Sequence, residues 1–119
     1  MSKFTLILAS LFLGLTIAQA EPERRQRCLA AARGLRDGLR SAGIAVPDVT
    51  GPILPLVVGG AARATDLSHR LFADHGILVT AIRPPTVPEG TARLRVTTNA
   101  ELSDDDLERA ATALAAVVR

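Results

Sequence analysis

The residues best suited to chemistry lie in a proline-rich loop over residues 83–90 and in the strand that follows it. Prolines in the loop fix φ and remove backbone donors, so this run is neither a helix nor a favourable central strand. Alternation over residues 91–97 then places Arg93 and Arg95 on one face of the strand. A guanidinium can bind a carboxylate through two parallel hydrogen bonds, and the loop offers the hydroxyl of Thr86 beside it. The pattern therefore predicts a site for a small carboxylate.

Other residue types that carry out chemistry are few or poorly spaced. His69 and His75 are six residues apart on a predicted helix, on different faces, so we expect no paired metal ligation. Cys28 is the single cysteine, which excludes an intrachain disulfide, and we expect it to be a small buried side chain. Three acidic residues, 104–106, begin the last predicted helix and suit its dipole better than a metal ion. We therefore expect neither a metal site nor a catalytic residue.

Helix and strand patterns succeed one another along residues 21–119. The second and third strands are joined by a short loop, so they should be antiparallel. This order predicts an α+β fold with a small three-stranded, mostly antiparallel sheet; its helices pack on one face and the other face stays available for a partner surface. The predicted helices cover residues 21–42, about 62–75 and 104 onward, and the predicted strands cover residues 53–58, 77–82 and 91–98.

Several residues mark where the helices begin and end. Pro22 suits the first turn of one helix, and Gly76 is a natural stop for another. Ser103 followed by Asp106 predicts a capping box, with aspartate where glutamate is usual. The inward side chains expected on the second helix are Leu67, Leu71 and Phe72.

The first twenty residues differ from everything after them. Lys3 supplies a positive start, residues 4–17 form an apolar run, and residues 18–20 have a small-x-small cleavage pattern. A membrane span needs roughly 20 apolar residues, so we expect no stable span here. We expect residues 1–20 to be a secretory signal, which implies a secreted or periplasmic protein. The alternative is a hydrophobic N-terminal helix on a cytoplasmic domain.

Composition argues against nucleic-acid partners, and we expect none. The chain has 119 residues, enough for one domain, with no tryptophan or tyrosine and only three phenylalanines. Its core must therefore be aliphatic, and it lacks the aromatic side chains on which single-stranded nucleic acids stack. The net charge is only +2, and the arginines are dispersed along the chain.

Two motifs resemble one enzyme family. The run RPPTVPEGTARLR over residues 83–95 closely resembles the C-terminal segment of 8-amino-7-oxononanoate synthases, and GPILPLVVG over residues 51–59 resembles their small-domain entry strand. These α-oxoamine synthases use pyridoxal phosphate to condense L-alanine with a pimeloyl thioester in biotin synthesis. The resemblance covers residues 21–119 and only the C-terminal domain of a much longer enzyme. It implies the small C-terminal domain of fold-type-I pyridoxal-phosphate enzymes.

The resemblance also implies roles for the candidate residues. The family's threonine in the RPPT motif contacts substrate and falls on Thr86, and the second arginine of TARLR binds the amino acid carboxylate and falls on Arg95. Arg93 is expected to be structural, and Arg83 faces either the loop or solvent. The alternative for Arg93 and Arg95 is that both solvate the exposed face of an edge strand.

One residue that the family requires is missing. The family holds its cofactor as a Schiff base on a lysine of the large domain, whereas the single lysine here is Lys3 and the thirteen other cationic residues are arginines. We therefore expect no cofactor and no synthase activity from the chain alone, with pyridoxal phosphate bound only in the complete enzyme. The expected partners are a separate large domain or a homodimer partner, with a small carboxylate ligand possible. The alternative function is a secreted α+β binding or interaction module without catalytic activity.

Overall fold

A computed structural model describes residues 2–119 and contains four helices and three strands. The order after the first helix is the predicted one. Only the last three residues of the strand expected over 77–82 pair with the sheet. The elements are α1 (Lys3–Ala20), α2 (Pro22–Ser41), β1 (Ile53–Gly59), α3 (Ala61–His75), β2 (Thr80–Ile82), β3 (Ala92–Thr97) and α4 (Asp104–Val118).

The three strands form one antiparallel sheet in the order β1-β3-β2. β3, which carries both candidate arginines, is therefore the central strand. The edge-strand position expected in the alternative is wrong, whereas its other part, that both arginines only solvate an exposed face, stays a prediction. β1 pairs with β3 although α3 and β2 lie between them in the sequence, and this pairing places β3 in the middle of the sheet. Pro55 lies on β1, an edge strand, where its missing backbone donor is tolerated.

The core lies between one face of the sheet and the helices. Burial alternates along β1 and β3, and the buried positions of both strands belong to one apolar cluster with residues of α2, α3 and α4. The opposite positions of both strands are exposed or half-buried. The predicted α+β fold with helices on one face is thus confirmed. The largest fully buried side chains are Leu39, Leu54, Leu56, Leu71, Leu94 and Leu114.

Helix ends form where the sequence predicts them, with one inward residue misassigned. The Ser103 hydroxyl accepts from the Asp106 N–H at 3.1 Å, and the Asp106 carboxylate accepts from the Ser103 N–H at 3.0 Å. α3 ends at Gly76 in the left-handed conformation, with φ of 67°. Phe72, expected to face inward, is 61% exposed. The buried stripe of α3 passes through Leu71, and the next residue lies about 100° further round the helix.

α1 stands apart from the core. None of its residues is buried, its main packing partner is α2, and its most exposed large side chain, Phe12, is 74% exposed. The Cα radius of gyration of the chain is 16.8 Å, whereas a compact domain of this length has about 13.5 Å. A projecting α1 explains the difference. By length and composition alone α1 could cross a membrane, a criterion that signal sequences near an N-terminus also meet.

Candidate functional site

The two candidate arginines lie on the open face of the sheet. Ala92, Leu94 and Val96 of β3 are buried against the helices, so the residues between them point the other way. Arg95 is exposed, whereas Arg93 is half-buried and its Nε donates to the carbonyl of Thr91 at 3.2 Å. The central strand therefore presents one tethered guanidinium and one exposed guanidinium.

The strand register defines the surroundings of Arg95. Its Cα partners are Pro55 on β1 and Thr80 on β2. Paired residues of antiparallel strands point to the same face, with Cβ atoms about 4.5–5.5 Å apart. Arg95 is thus flanked by a proline ring on one side and by the Thr80 hydroxyl on the other. Within residues 2–119 its guanidinium has no hydrogen bond or ion pair, so its five donors are available to a ligand.

Arg93 has aliphatic neighbours instead. Its Cα partners are Val57 and Ile82, which offer no side-chain hydrogen bonds. The open face is therefore positively charged around both arginines, because none of the residues paired with them is acidic. An anion on this face meets attraction from two cations and repulsion from no paired carboxylate.

The proline-rich loop begins where β2 ends, next to Arg93. β2 ends at Ile82, opposite Arg93, and Arg95 lies two residues further along β3, a rise of about 7 Å. Thr86 is exposed in this loop, where its N–H donates to the carbonyl of Arg83 at 3.1 Å. The register by itself places Thr80, and not Thr86, next to Arg95. The substrate-binding roles of Thr86 and Arg95 stay predictions.

The loop is closed by polar contacts at its far end. The Thr91 hydroxyl donates to the carbonyl of Pro88 at 2.6 Å, and the Thr91 N–H donates to the same oxygen at 3.1 Å. Gly90 takes a φ of 77°, a left-handed conformation that glycine adopts without strain, and turns the chain into β3. The loop is therefore an ordered turn whose Arg83 is exposed to solvent.

Sequence reasoning missed Thr80 as a neighbour of Arg95. The only available signal was period-two alternation, which puts Thr80 and Ile82 on one face of their strand. The nine-residue connection from β2 to β3 is not a tight hairpin, so its length does not set the register. The pairing is a tertiary property that depends on how the loop folds.

The other residues singled out in the sequence lie away from the open face. His69 and His75 are both exposed on α3, and no cluster of metal-binding side chains occurs among residues 2–119. Cys28, expected to be a buried side chain, is only half-buried on α2, and its thiol donates to the carbonyl of Thr98 at 3.5 Å. Of the three acids in the first turn of α4, Asp106 forms the capping box with Ser103. Hydrogen bonds from the backbone and side chain of Ser103 hold the pKa of Asp106 below its ordinary value.

The aminotransferase class I and II family model matches residues 6–114 of this chain. A curated 8-amino-7-oxononanoate synthase from Methylococcus capsulatus is 46% identical over 104 residues, which cover 87% of this chain and 27% of the relative. The chain therefore spans about a quarter of the length of that relative. The resemblance predicted from residues 51–59 and 83–95 is confirmed.

Solved structures agree with the fold. An 8-amino-7-oxononanoate synthase from Francisella tularensis superposes with a TM-score of 0.76 over 92% of this chain and 32% of its own; at 21% identity it supports the fold alone. A serine palmitoyltransferase variant from S. paucimobilis, solved with a bound PLP–myriocin aldimine, superposes with a TM-score of 0.70 at 28% identity, over 80% of this chain and 24% of its own. The sheet and its helices are thus those of fold-type-I pyridoxal-phosphate enzymes.

Proposed function

Since the chain belongs to the aminotransferase class I and II family, we propose that it is the C-terminal part of an 8-amino-7-oxononanoate synthase, which uses pyridoxal phosphate to condense L-alanine with a pimeloyl thioester. The observation that carries the proposal is the combination of high identity with short coverage, 46% identity over 27% of the Methylococcus capsulatus enzyme. The open, arginine-bearing face of the sheet agrees with a domain whose partner surface lies outside this chain.

Pyridoxal phosphate does not fit the residues that this chain provides. The cofactor needs an amine for its Schiff base, and the only lysine, Lys3, lies in the first turn of α1. α1 packs mainly against α2 rather than against the sheet that carries Arg95. The chain alone therefore holds no cofactor and makes no product, and the cofactor belongs to the segment that the chain lacks.

The contribution of this chain is recognition of the amino acid substrate. Arg95 binds the carboxylate through its guanidinium, because its donors have no partner among residues 2–119. Thr80, its paired neighbour, and Thr86, in the proline-rich loop, are the hydroxyls that can complete the site. Arg93 is held by the Thr91 carbonyl and supports the charge of the face.

The partner in this proposal is a separate large domain or a homodimer that contains one. Such a partner covers the open face and excludes water from Arg95. Removing water strengthens a guanidinium–carboxylate pair, which is weak while it is solvated. The isolated chain therefore binds a carboxylate poorly, and the complete enzyme binds it well.

The reading frame upstream of this gene tests the proposal. A frame that encodes the missing lysine-bearing segment, expressed together with this chain, supports a split synthase. The proposal is wrong if no such segment is made anywhere in the host and deletion of this gene leaves biotin synthesis intact even where it is the only synthase-like gene.

The second candidate is an exported binding module without catalytic activity. The observation in its favour is the N-terminal sequence, in which Lys3, an apolar run and the small-x-small pattern at residues 18–20 form a signal-like series. N-terminal sequencing of the protein made in its own host decides this point. A chain that begins at Glu21 outside the cytoplasm supports export, and a retained N-terminus inside the cytoplasm contradicts it.

A further inference from the structure

We propose that α1 is a docking helix through which this domain attaches to the lysine-bearing remainder of the synthase. The inference rests on the proposed function, since it names the surface that the missing segment covers. It assigns to residues 3–20 a role in assembly in place of export.

The surface of α1 is apolar on every side. Its nine large aliphatic and aromatic side chains are all exposed, from Ile17 at 39% to Phe12 at 74%. Two hydroxyl groups on this helix are hydrogen-bonded to its own backbone and offer no free donor to solvent. Ser10 donates to the Leu6 carbonyl at 2.9 Å, and Thr16 donates to the Phe12 carbonyl at 2.9 Å. A helix that is apolar all round belongs in the interior of a larger assembly or of a membrane. α1 therefore needs a second apolar surface to pack against, and residues 2–119 do not supply one.

The family comparison indicates that the surface packing on α1 is protein. The family model matches from residue 6, so most of α1 lies inside the sequence that the family shares. Of the 119 residues, 99 follow Ala20, so a superposition covering 92% of the chain on the Francisella tularensis enzyme must include part of α1. A helix that belongs to the fold of a longer enzyme packs against that enzyme, whose remaining length this chain lacks.

The junction between α1 and α2 holds the helix in a defined direction. The Glu21 N–H donates to the Ile17 carbonyl at 2.9 Å, and the Glu21 carboxylate pairs with Arg24 at 3.1 Å. The Arg25 guanidinium donates to the carbonyl of Ala18. The residues of the small-x-small pattern are therefore helical and hydrogen-bonded, whereas proteolytic cleavage favours exposed loop segments. A fixed α1 is preorganised for docking.

The test uses the full chain and the segment of the Methylococcus capsulatus synthase that precedes its matched region. Binding is measured by titration calorimetry, and hydrogen exchange of the chain is compared with and without the segment. We expect slowed exchange in residues 6–20. For Phe12→Glu we expect binding weakened by about tenfold or more, because a charge replaces a ring that docking would bury. The matched control is Phe72→Glu, an exposed phenylalanine on α3, which should change the dissociation constant by less than about twofold.

Each other outcome contradicts the inference in a distinguishable way. Binding of the segment with no protection of residues 6–20, or equal weakening by Phe12→Glu and Phe72→Glu, overturns the docking role of α1 and leaves the proposed function standing. No binding by the wild-type chain, with both components folded by circular dichroism, overturns both. Recovery of the chain from its host as a species starting at Glu21, or embedded in the membrane after alkaline extraction, shows that α1 serves export or anchoring.

Discussion

At the scale of single residues, Arg93 and Arg95 differ although both point to the open face. Arg93 is half-buried between Val57 and Ile82 and is hydrogen-bonded to a backbone carbonyl. Arg95 is exposed beside Thr80 and has no partner among residues 2–119. Period-two alternation predicted their shared face, whereas their different surroundings depend on which strands pair with β3.

Arg95 should carry most of the anion affinity of the isolated chain. Because the guanidinium is solvated, pairing with a carboxylate is worth about 1 kcal/mol or less, which by itself corresponds to a dissociation constant of about 0.2 M or weaker. Titration with L-alanine or pimelate, followed by backbone amide shifts, should move residues around Arg95 most. The shifts should largely disappear in Arg95→Ala and persist in Arg93→Ala. Equal responses in wild type and Arg95→Ala would refute this assignment.

At the scale of elements, the capping box of α4 links one carboxylate to stability. Its hydrogen bonds from Ser103 lower the pKa of Asp106 below its ordinary value of 3.8. A carboxyl group whose pKa is lower in the folded state stabilises the fold above the ordinary value and loses that contribution as pH falls through the folded pKa. The stabilisation is therefore present near neutral pH and disappears under acidic conditions below 3.8.

Asp106→Asn should be less stable than wild type near neutral pH, and the difference should shrink as the pH falls below 3.8. Urea unfolding across this pH range measures it. Asp105→Asn, in the same first turn but outside the capping box, is the matched control and should retain the wild-type pH dependence. Parallel stability profiles for wild type and Asp106→Asn would contradict the role of the cap.

The central strand should tolerate loss of a buried side chain poorly. Leu94 is fully buried at the middle of β3, so Leu94→Ala should cost about 3 kcal/mol through lost burial and a residual cavity. Val57→Ala is the control, since Val57 is 59% exposed on the edge strand β1 and should cost far less. Urea unfolding of both variants compares the losses. Similar destabilisation by the two substitutions would show that the apolar core is not on the helix side of the sheet.

Local signals predicted the elements well because their causes are local. Pro22, Gly76 and the Ser103–Asp106 pair act within one helical turn, and each lies where the corresponding helix begins or ends. β2 is shorter than the strand predicted over residues 77–82, because only residues 80–82 pair with β3. The length of β2 depends on tertiary pairing with β3, and the β-propensity of residues 77–82 carries no information about that pairing.

At the scale of the whole molecule, two surfaces are left uncovered, the open face of the sheet and the whole of α1. The sequence predicted the first, because helices on one face leave the other free. It predicted α1 as a hydrophobic helix or a signal, but its projection from the domain depends on packing that no local pattern specifies. Both surfaces agree with a chain that spans about a quarter of the relative it matches.

Complementation tests most directly whether this chain is the C-terminal part of a synthase. The full chain and the preceding segment of the Methylococcus capsulatus enzyme are purified separately, supplied with pyridoxal phosphate, L-alanine and a pimeloyl thioester, and assayed by mass spectrometry for 8-amino-7-oxononanoate. Neither component alone should form product, because one lacks the cofactor lysine and the other lacks the domain that contains Arg95. The mixture should form product at a rate that saturates with added chain and falls in Arg95→Ala. Product from the chain alone, or none from the mixture of folded components at any ratio, would contradict the proposed function.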